Sequence, residues 1–244
     1  MDAYQFDIVP DGADYHRCFY RGEDLTSVFE SGEFSASVAN GSFRGIFPGD
    51  YITRKVTIPD HSGAPAGKYN VRFIIADLDF AISRRYAAHH AVIVPEDPVF
   101  NADIGCYTRS GGYADSSMNR TVLPAFAQGL SKAFGTSHLL RFNADGQSCL
   151  CRLMTQHMVF GGTLPSSLSS CFHPYSDYSE VDKCMGEEQL AIFRNNPDLR
   201  WVKDMGYWLS DVYDSSHYAY VFSDGCVGVT GDGAGGVRPF ALLV

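Results

Sequence analysis

Apolar and polar positions follow two periods along this chain, and the switch between them sets out its elements. From Asp50 the pattern is strand-like: Tyr51–Ile58 reads as one strand, His61–Pro65 as a turn and Asn70–Phe80 as a second strand, so the two form a hairpin. A third strand, His89–Val94, is stopped by Pro95 and Pro98. After the Ser110-Gly111-Gly112 loop the period lengthens. Val122, Phe126, Leu130 and Phe134 recur every four residues, with Leu123 and Ala133 alongside, which predicts a helix over Asn119–Phe134. Ser116 or Ser117 serves as its N-cap, Pro124 falls near the first turn and Gly135 ends it.

A strand over His138–Phe142 and a Ser/Gly-rich stretch around 161–170 follow, and a short helix over Glu187–Arg194 ends before Asn195-Asn196-Pro197. The chain closes as strand, turn, strand, turn, strand from Tyr207 to Val244: a β-meander with turns at Ser223-Asp224-Gly225 and Gly231–Gly236. Residues 1–45 are different in kind. They carry one short helical candidate, Leu25–Glu30, with Gly32 and Gly41 as breakers, yet Tyr4, Phe6, Ile8, Tyr15, Phe19 and Tyr20 make them too apolar for a free linker. They read as an arm or docking segment that packs on its own domain or on a neighbouring subunit, ahead of a domain over 46–244.

Several segments carry a resemblance. A terminal hairpin ending in Gly236-Val237-Arg238-Pro239, with Trp208-Leu209 upstream, resembles the formylglycine-generating-enzyme-like branch of the C-type lectin superfamily, which includes phage receptor-binding proteins. Gly49-Asp50-Tyr51-Ile52, Ile75–Phe80, His89–Asp97, Gly111-Gly112-Tyr113, Gln189–Arg194 and Asn196–Leu199 are similar, in order, to a family of structural proteins of phages that infect Gram-positive hosts. The resemblance implies an α+β, C-type-lectin-like domain with a twisted antiparallel sheet, two helices and long loops. It further implies a virion protein on the head or tail surface, made in the host cytoplasm. The N-terminal segment would hold it to other virion proteins, a host-surface glycan or protein would be its external partner, and homo-oligomers are the usual form of such proteins.

Composition narrows the function classes. The 244 residues are 45% hydrophobic and only 19% charged, with 24 Gly, 14 Tyr and 17 Phe, a β-rich and turn-rich profile that can fill a core. A formal net charge of −9 argues against a nucleic-acid partner, because phosphate binding needs a positive field. No apolar run approaches the roughly 18 residues of a membrane span, and Met1–Pro10, with Asp2 and Asp7, does not read as a secretory signal. Seven unevenly spaced cysteines, Cys18, Cys106, Cys149, Cys151, Cys171, Cys184 and Cys226, fit reduced thiols better than a disulfide framework. A zinc site from Cys149, Cys151, Cys171 and Cys184 would lack the usual C-x-x-C knuckles, so buried thiols are the ordinary reading and no cofactor is implied.

Candidate chemistry is sparse. Gly231–Gly236 matches G-x-G-x-x-G, but no helix can open from it with so little chain left, so it does not read as a dinucleotide loop. Asp77 and Asp79 alternate along a strand and share a face, where Arg84, Arg85, His89 or His90 would neutralise them, or a bound cation. His89 and His90 point to opposite faces, and one of them is expected to be buried and hydrogen-bonded. No G-x-S-x-G elbow organises a hydrolase triad. Cys226 is alone in the last 50 residues, where formylglycine-generating enzymes use a cysteine pair, and the Glu-Pro-Asn and Trp-Asn-Asp signatures of calcium-dependent lectins are missing. Oxidase-like or metal-dependent chemistry on the same fold, and a purely cementing capsid protein, stand as alternatives. Asn40-Gly41-Ser42 and Asn119-Arg120-Thr121 are sequons without a secretory context. The Tyr/Ser-rich run of the meander, Asp211, Tyr213, Asp214, Ser215, Ser216, His217, Tyr218 and Tyr220, has the composition of a recognition loop and is the expected ligand surface; alternatively half of it alternates into the core.

Overall fold

The computed structural model describes residues 12–59, 64–81, 86–105, 112–144, 147–161, 189–212, 217–231 and 233–244. Three short helices come first: α1 (Ala13–His16), α2 (Thr26–Glu30) and α3 (Glu33–Ala39). The hairpin follows as β1 (Tyr51–Ile58) and β2 (Gly67–Leu78), then β3 (Ala91–Pro95) and β4 (Asn101–Asp103). The long helix α4 (Leu123–Phe134) leads to β5 (Phe142–Ala144), β6 (Gln147–Cys149), β7 (Cys151–Leu153) and α5 (Gln156–Phe160). Among the described residues the chain then gives α6 (Ala191–Asn195), β8 (Tyr207–Val212), β9 (Tyr218–Val221), β10 (Val227–Thr230), β11 (Ala234–Gly236) and β12 (Pro239–Leu243).

The architecture is mixed α+β with mostly antiparallel sheets. One sheet runs β1-β2-β3-β12-β7, a second runs β10-β9-β8-β11-β4, and β5-β6 is a separate hairpin. Within the second sheet, β8 and β11 pair in parallel. The last strand therefore does not complete a meander: β8, β9 and β10 do so, while β12 crosses to the first sheet and inserts between β3 and β7. The expected terminal meander stops one strand early because Pro239–Leu243 is buried throughout, and an apolar strand of that kind belongs in a sheet centre with both faces covered.

Alternation inside these central strands divides the core in two. Phe73 and Ile75 of β2, Ile93 of β3 and Ala241 of β12 face the side covered by α2, α3 and α4. Ile74, Val92, Val94, Phe240 and Leu242 face the other side, with Met158, Ile192 and Phe193 from α5 and α6 and Tyr207 and Leu209 from β8. Phe29, Phe34, Val38 and Phe43 belong to the first of these clusters, so residues 12–45 pack on the same core as the sheet and no break in packing falls at residue 45.

The expected hairpin forms, Tyr51 opposite Ile74 through Ile58 opposite Gly67, with its second strand running Gly67–Leu78 in place of Asn70–Phe80. The helix predicted from Asn119 begins as a π-turn over Met118–Val122 and becomes α-helical at Leu123. Pro124 has no N–H and its ring clashes with a tighter preceding turn, which the wider π register accommodates. Ser116 Oγ accepts the Asn119 N–H at 3.2 Å, and Gly135 ends the helix at φ 85°. A strand over His138–Phe142 does not form. Thr136–His138 is a 3₁₀ turn, Leu139 only bridges to Leu243, and β5 begins at Phe142. The helix expected over Glu187–Arg194 is shorter, Ala191–Asn195: Leu190 is extended at φ −58°, ψ 138° and Gln189 is not helical, while Glu187 and Glu188 lie outside the described residues.

Candidate recognition surface and the polar joints beneath it

Three acidic residues of the family-like segments, Asp50, Asp77 and Asp79, are buried or nearly so, whereas Asp97 and Asp198 are exposed, and Asp50 and Asp77 join parts of the chain distant in sequence. Asp50 is fully buried between Gly49 and β1. Its carboxylate takes Arg21 through Nε at 2.8 Å and a terminal guanidinium nitrogen at 2.6 Å, and also accepts the N–H groups of Gly22, Glu23 and Phe47. Gly49, at φ 94°, leaves room for the Tyr20 ring, since a Cβ there would sit 2.5 Å from it. Gly-Asp-Tyr at 49–51 is thus the clasp that holds the N-terminal layer to the first sheet.

Asp77 makes the second joint. The β2–β3 register shifts between Ile75 and Asp77, and Asp79 adopts φ 49°, so the two acids do not share a strand face as expected. Asp77 is fully buried, bonded to Arg17 at 2.5 and 3.1 Å and to the N–H groups of Leu78 and Ala191 at 2.8 and 3.0 Å. It ties α1, β2 and the start of α6 together. Burial pushes its carboxyl up, while the Arg17 guanidinium and both N–H donors push it down. Its counter-charge was not legible, because Arg17 lies 60 residues away and no local pattern links the two. Asp79 has the expected kind of partner: His89 Nδ1 lies 2.7 Å from one carboxylate oxygen and the His90 N–H donates to the other at 3.0 Å.

His90 is the buried histidine of the pair. Its ring nitrogens sit 2.9 Å from the carbonyl oxygens of Ala88 and Phe80. Burial holds the ring below its usual value, against the pull of those carbonyls and of Asp79 and Asp77. Arg238, from the Gly-Val-Arg-Pro ending, is also fully buried. It donates to Pro95 O and Leu199 O, each at 2.9 Å, and its guanidinium lies over the rings of Phe193 and Tyr207. It fastens β12 to the end of β3 and to the segment before β8.

The second half of the Gly-rich stretch read as a turn, Ala234–Gly236, is strand β11. A Cβ on Gly235 would sit 2.6 Å from both Trp208 and Tyr220, and one on Gly236 would sit 2.5 Å from Gly206 O. These glycines let two aromatic side chains lie across the strand, with Trp208 Nε1 donating to Ala102 O at 3.0 Å.

The expected ligand surface divides. Asp211 is buried and accepts the Gln156 N–H at 2.6 Å, Tyr218 is fully buried, and Tyr220 is half-buried against Trp208. His217 is half-buried, and Tyr213, Asp214, Ser215 and Ser216 lie outside the described residues. Of the named residues described, Asp211 and Tyr218 are framework, as strand alternation with both faces covered dictates. Nearby stand two exposed aromatics that the sequence pattern did not single out: Trp201, 59% exposed, and Phe222, 41% exposed. Gly225 packs against Trp201, and the turn carrying it is held by Gly225 N–H to Phe222 O, Phe222 N–H to Cys226 O and Cys226 N–H to Asp224. A second exposed aromatic group, Tyr15, Phe19 and Tyr20, crowns the N-terminal layer.

Of the described thiols, Cys18 is exposed and Cys151 buried, and burial pushes Cys151 far up. Cys106, Cys171 and Cys184 lie outside the described residues, and among those described no group of three or more His, Cys, Asp or Glu side chains is placed to hold a metal. No described helix is long and apolar enough to cross a membrane. No protein-family model matches the chain, and neither the curated proteins nor the solved structures give a match.

Proposed function

We propose that this chain is a bacteriophage virion protein, displayed on the head or tail surface, that works by contact rather than by catalysis. Its domain is C-type-lectin-like in this reading. The N-terminal layer attaches it to neighbouring virion proteins, and the surface of the Ser210–Asp224 region, where Phe222 and the adjoining Trp201 are exposed, faces outward toward a host-surface glycan or protein. The observation that carries the reading is the use made of the buried charged residues in the family-like segments. Asp50, Asp77 and Arg238 are committed to fastening one part of the chain to another. A catalytic group needs a reactive atom within reach of a substrate, whereas these hold a scaffold rigid beneath its surface loops.

Two groups of exposed aromatics support contact as the mode of action. Tyr15, Phe19 and Tyr20 on the N-terminal layer suit attachment to a neighbouring subunit, and Trp201 and Phe222 beside a well-bonded turn suit recognition. The proteins of purified particles of the phage that encodes this chain provide the test. Mass spectrometry is expected to find it at a fixed copy number relative to the major capsid protein. Recovery only from the soluble lysate would overturn the reading.

A further inference from the structure

Away from the aromatic surfaces, a groove of about 230 Å³ runs between α4 and the β5–β6 hairpin. It is smaller than the roughly 300–1,000 Å³ of sites that enclose drug-sized molecules, so it suits one small ring with the rest of a ligand in solvent. Leu123, Pro124 and Ala127 give it an apolar wall, while Arg141, Gln128, Gln147 and Ser148 supply hydrogen-bonding groups. Asn119 donates to Ala114 O at 3.1 Å and to Gln147 Oε1 at 3.4 Å, which fixes the Gln147 amide and leaves its nitrogen as a donor.

Three features define the ligand. Among the described residues lining the groove there is no carboxylate, and Arg141 forms no ion pair with any described residue, although the protein as a whole is acidic. A planar guanidinium in that setting favours carboxylate or phosphate. The amides and the serine hydroxyl, both donor and acceptor, match vicinal hydroxyls against a short apolar wall. The described residues lining the groove include no aromatic ring to stack on a base or a flat ring, and that disfavours nucleotides.

We propose that this groove binds one anionic sugar unit, with Arg141 pairing its charge and Gln128, Gln147 and Ser148 reading its hydroxyls. A shallow site of this kind binds a single unit at around millimolar Kd and gains strength when many copies meet a repeating polymer. The proposal stands whether or not the protein proves to be part of a virion.

The test is an NMR titration of the full chain with glucuronate, glucose 6-phosphate, glucose and inorganic phosphate, repeated on Arg141→Gln. At least one anionic sugar is expected to shift the signals of the lining residues saturably, about tenfold more tightly than glucose, with Arg141→Gln removing that preference. Success with glucuronate alone assigns a uronic acid, and success with glucose 6-phosphate alone assigns a phosphorylated sugar. The proposal is overturned if neither anionic sugar binds, if glucose binds as well, if Arg141→Gln changes nothing, or if inorganic phosphate matches the sugars. Arg141 is exposed, so the variant keeps the fold. Cys149, half-buried at the groove, gives a second readout: its alkylation should slow with ligand while that of the exposed Cys18 and Cys226 does not.

Discussion

His90 shows how far a single residue's surroundings can be turned into a measurable quantity. The folded ring lies among Phe80 O, Ala88 O, Tyr86 and the two carboxylates, and burial holds its pKa down. The unfolded imidazole takes its proton near the ordinary value of about 6.5. Between that value and the lower folded one, the unfolded state holds more protons, so stability falls as pH drops and is level above the window. Urea unfolding at pH 7.5 and 5.5 should show the wild type losing about 1 kcal/mol of stability relative to His90→Gln, with a ceiling of about 1.4 kcal/mol set by that pH interval. A gap that widens on acidification would mean instead that the two carbonyls hold an imidazolium. At this scale the sequence was partly legible. The alternation expected over His89–Val94 identified one buried histidine, although β3 begins only at Ala91 and the pair precedes it. Arg17 and Arg21 as partners of Asp77 and Asp50 were hidden, because such pairings exist only once the N-terminal layer has folded back.

Among the elements, those with strong periodicity were legible and those set by close approach were not. β1 begins and ends where alternation placed it, and α4 ends at its glycine. The π-turn ahead of α4 and the crossing of β12 to the first sheet depend on neighbours that no local pattern reports. Gly129 is the clearest case, for in a helical pattern it reads only as a weak helix former. A Cβ there would meet Val56 at 2.7 Å and Thr57 O at 2.9 Å, so the glycine sets how closely α4 lies on β1. On an open helix face Gly→Ala would stabilise by about 1 kcal/mol. Here Gly129→Ala is expected to cost about 2 kcal/mol, or roughly 4–8 °C in Tm by calorimetry. A rise in Tm would show that helix and sheet are not in this contact. The candidate surface was legible to a lesser degree. A Tyr/Ser-rich run located the region, but Asp211 and Tyr218 turned inward, while Trp201, in a segment without periodicity, stands outside.

For the molecule as a whole, the joints at Asp50, Asp77 and Arg238 draw residues 12–45, the two sheets and the C-terminal strand into one packed body. An account in which these residues serve architecture leaves function to the surface, and the proposal that this surface belongs to a particle rests on the resemblance of the segments carrying them. Immunogold electron microscopy with antibody against residues 46–244 tests this most directly. Regular labelling at a fixed position on the head or tail is the predicted result, and labelling confined to soluble lysate, with bare particles, would contradict it.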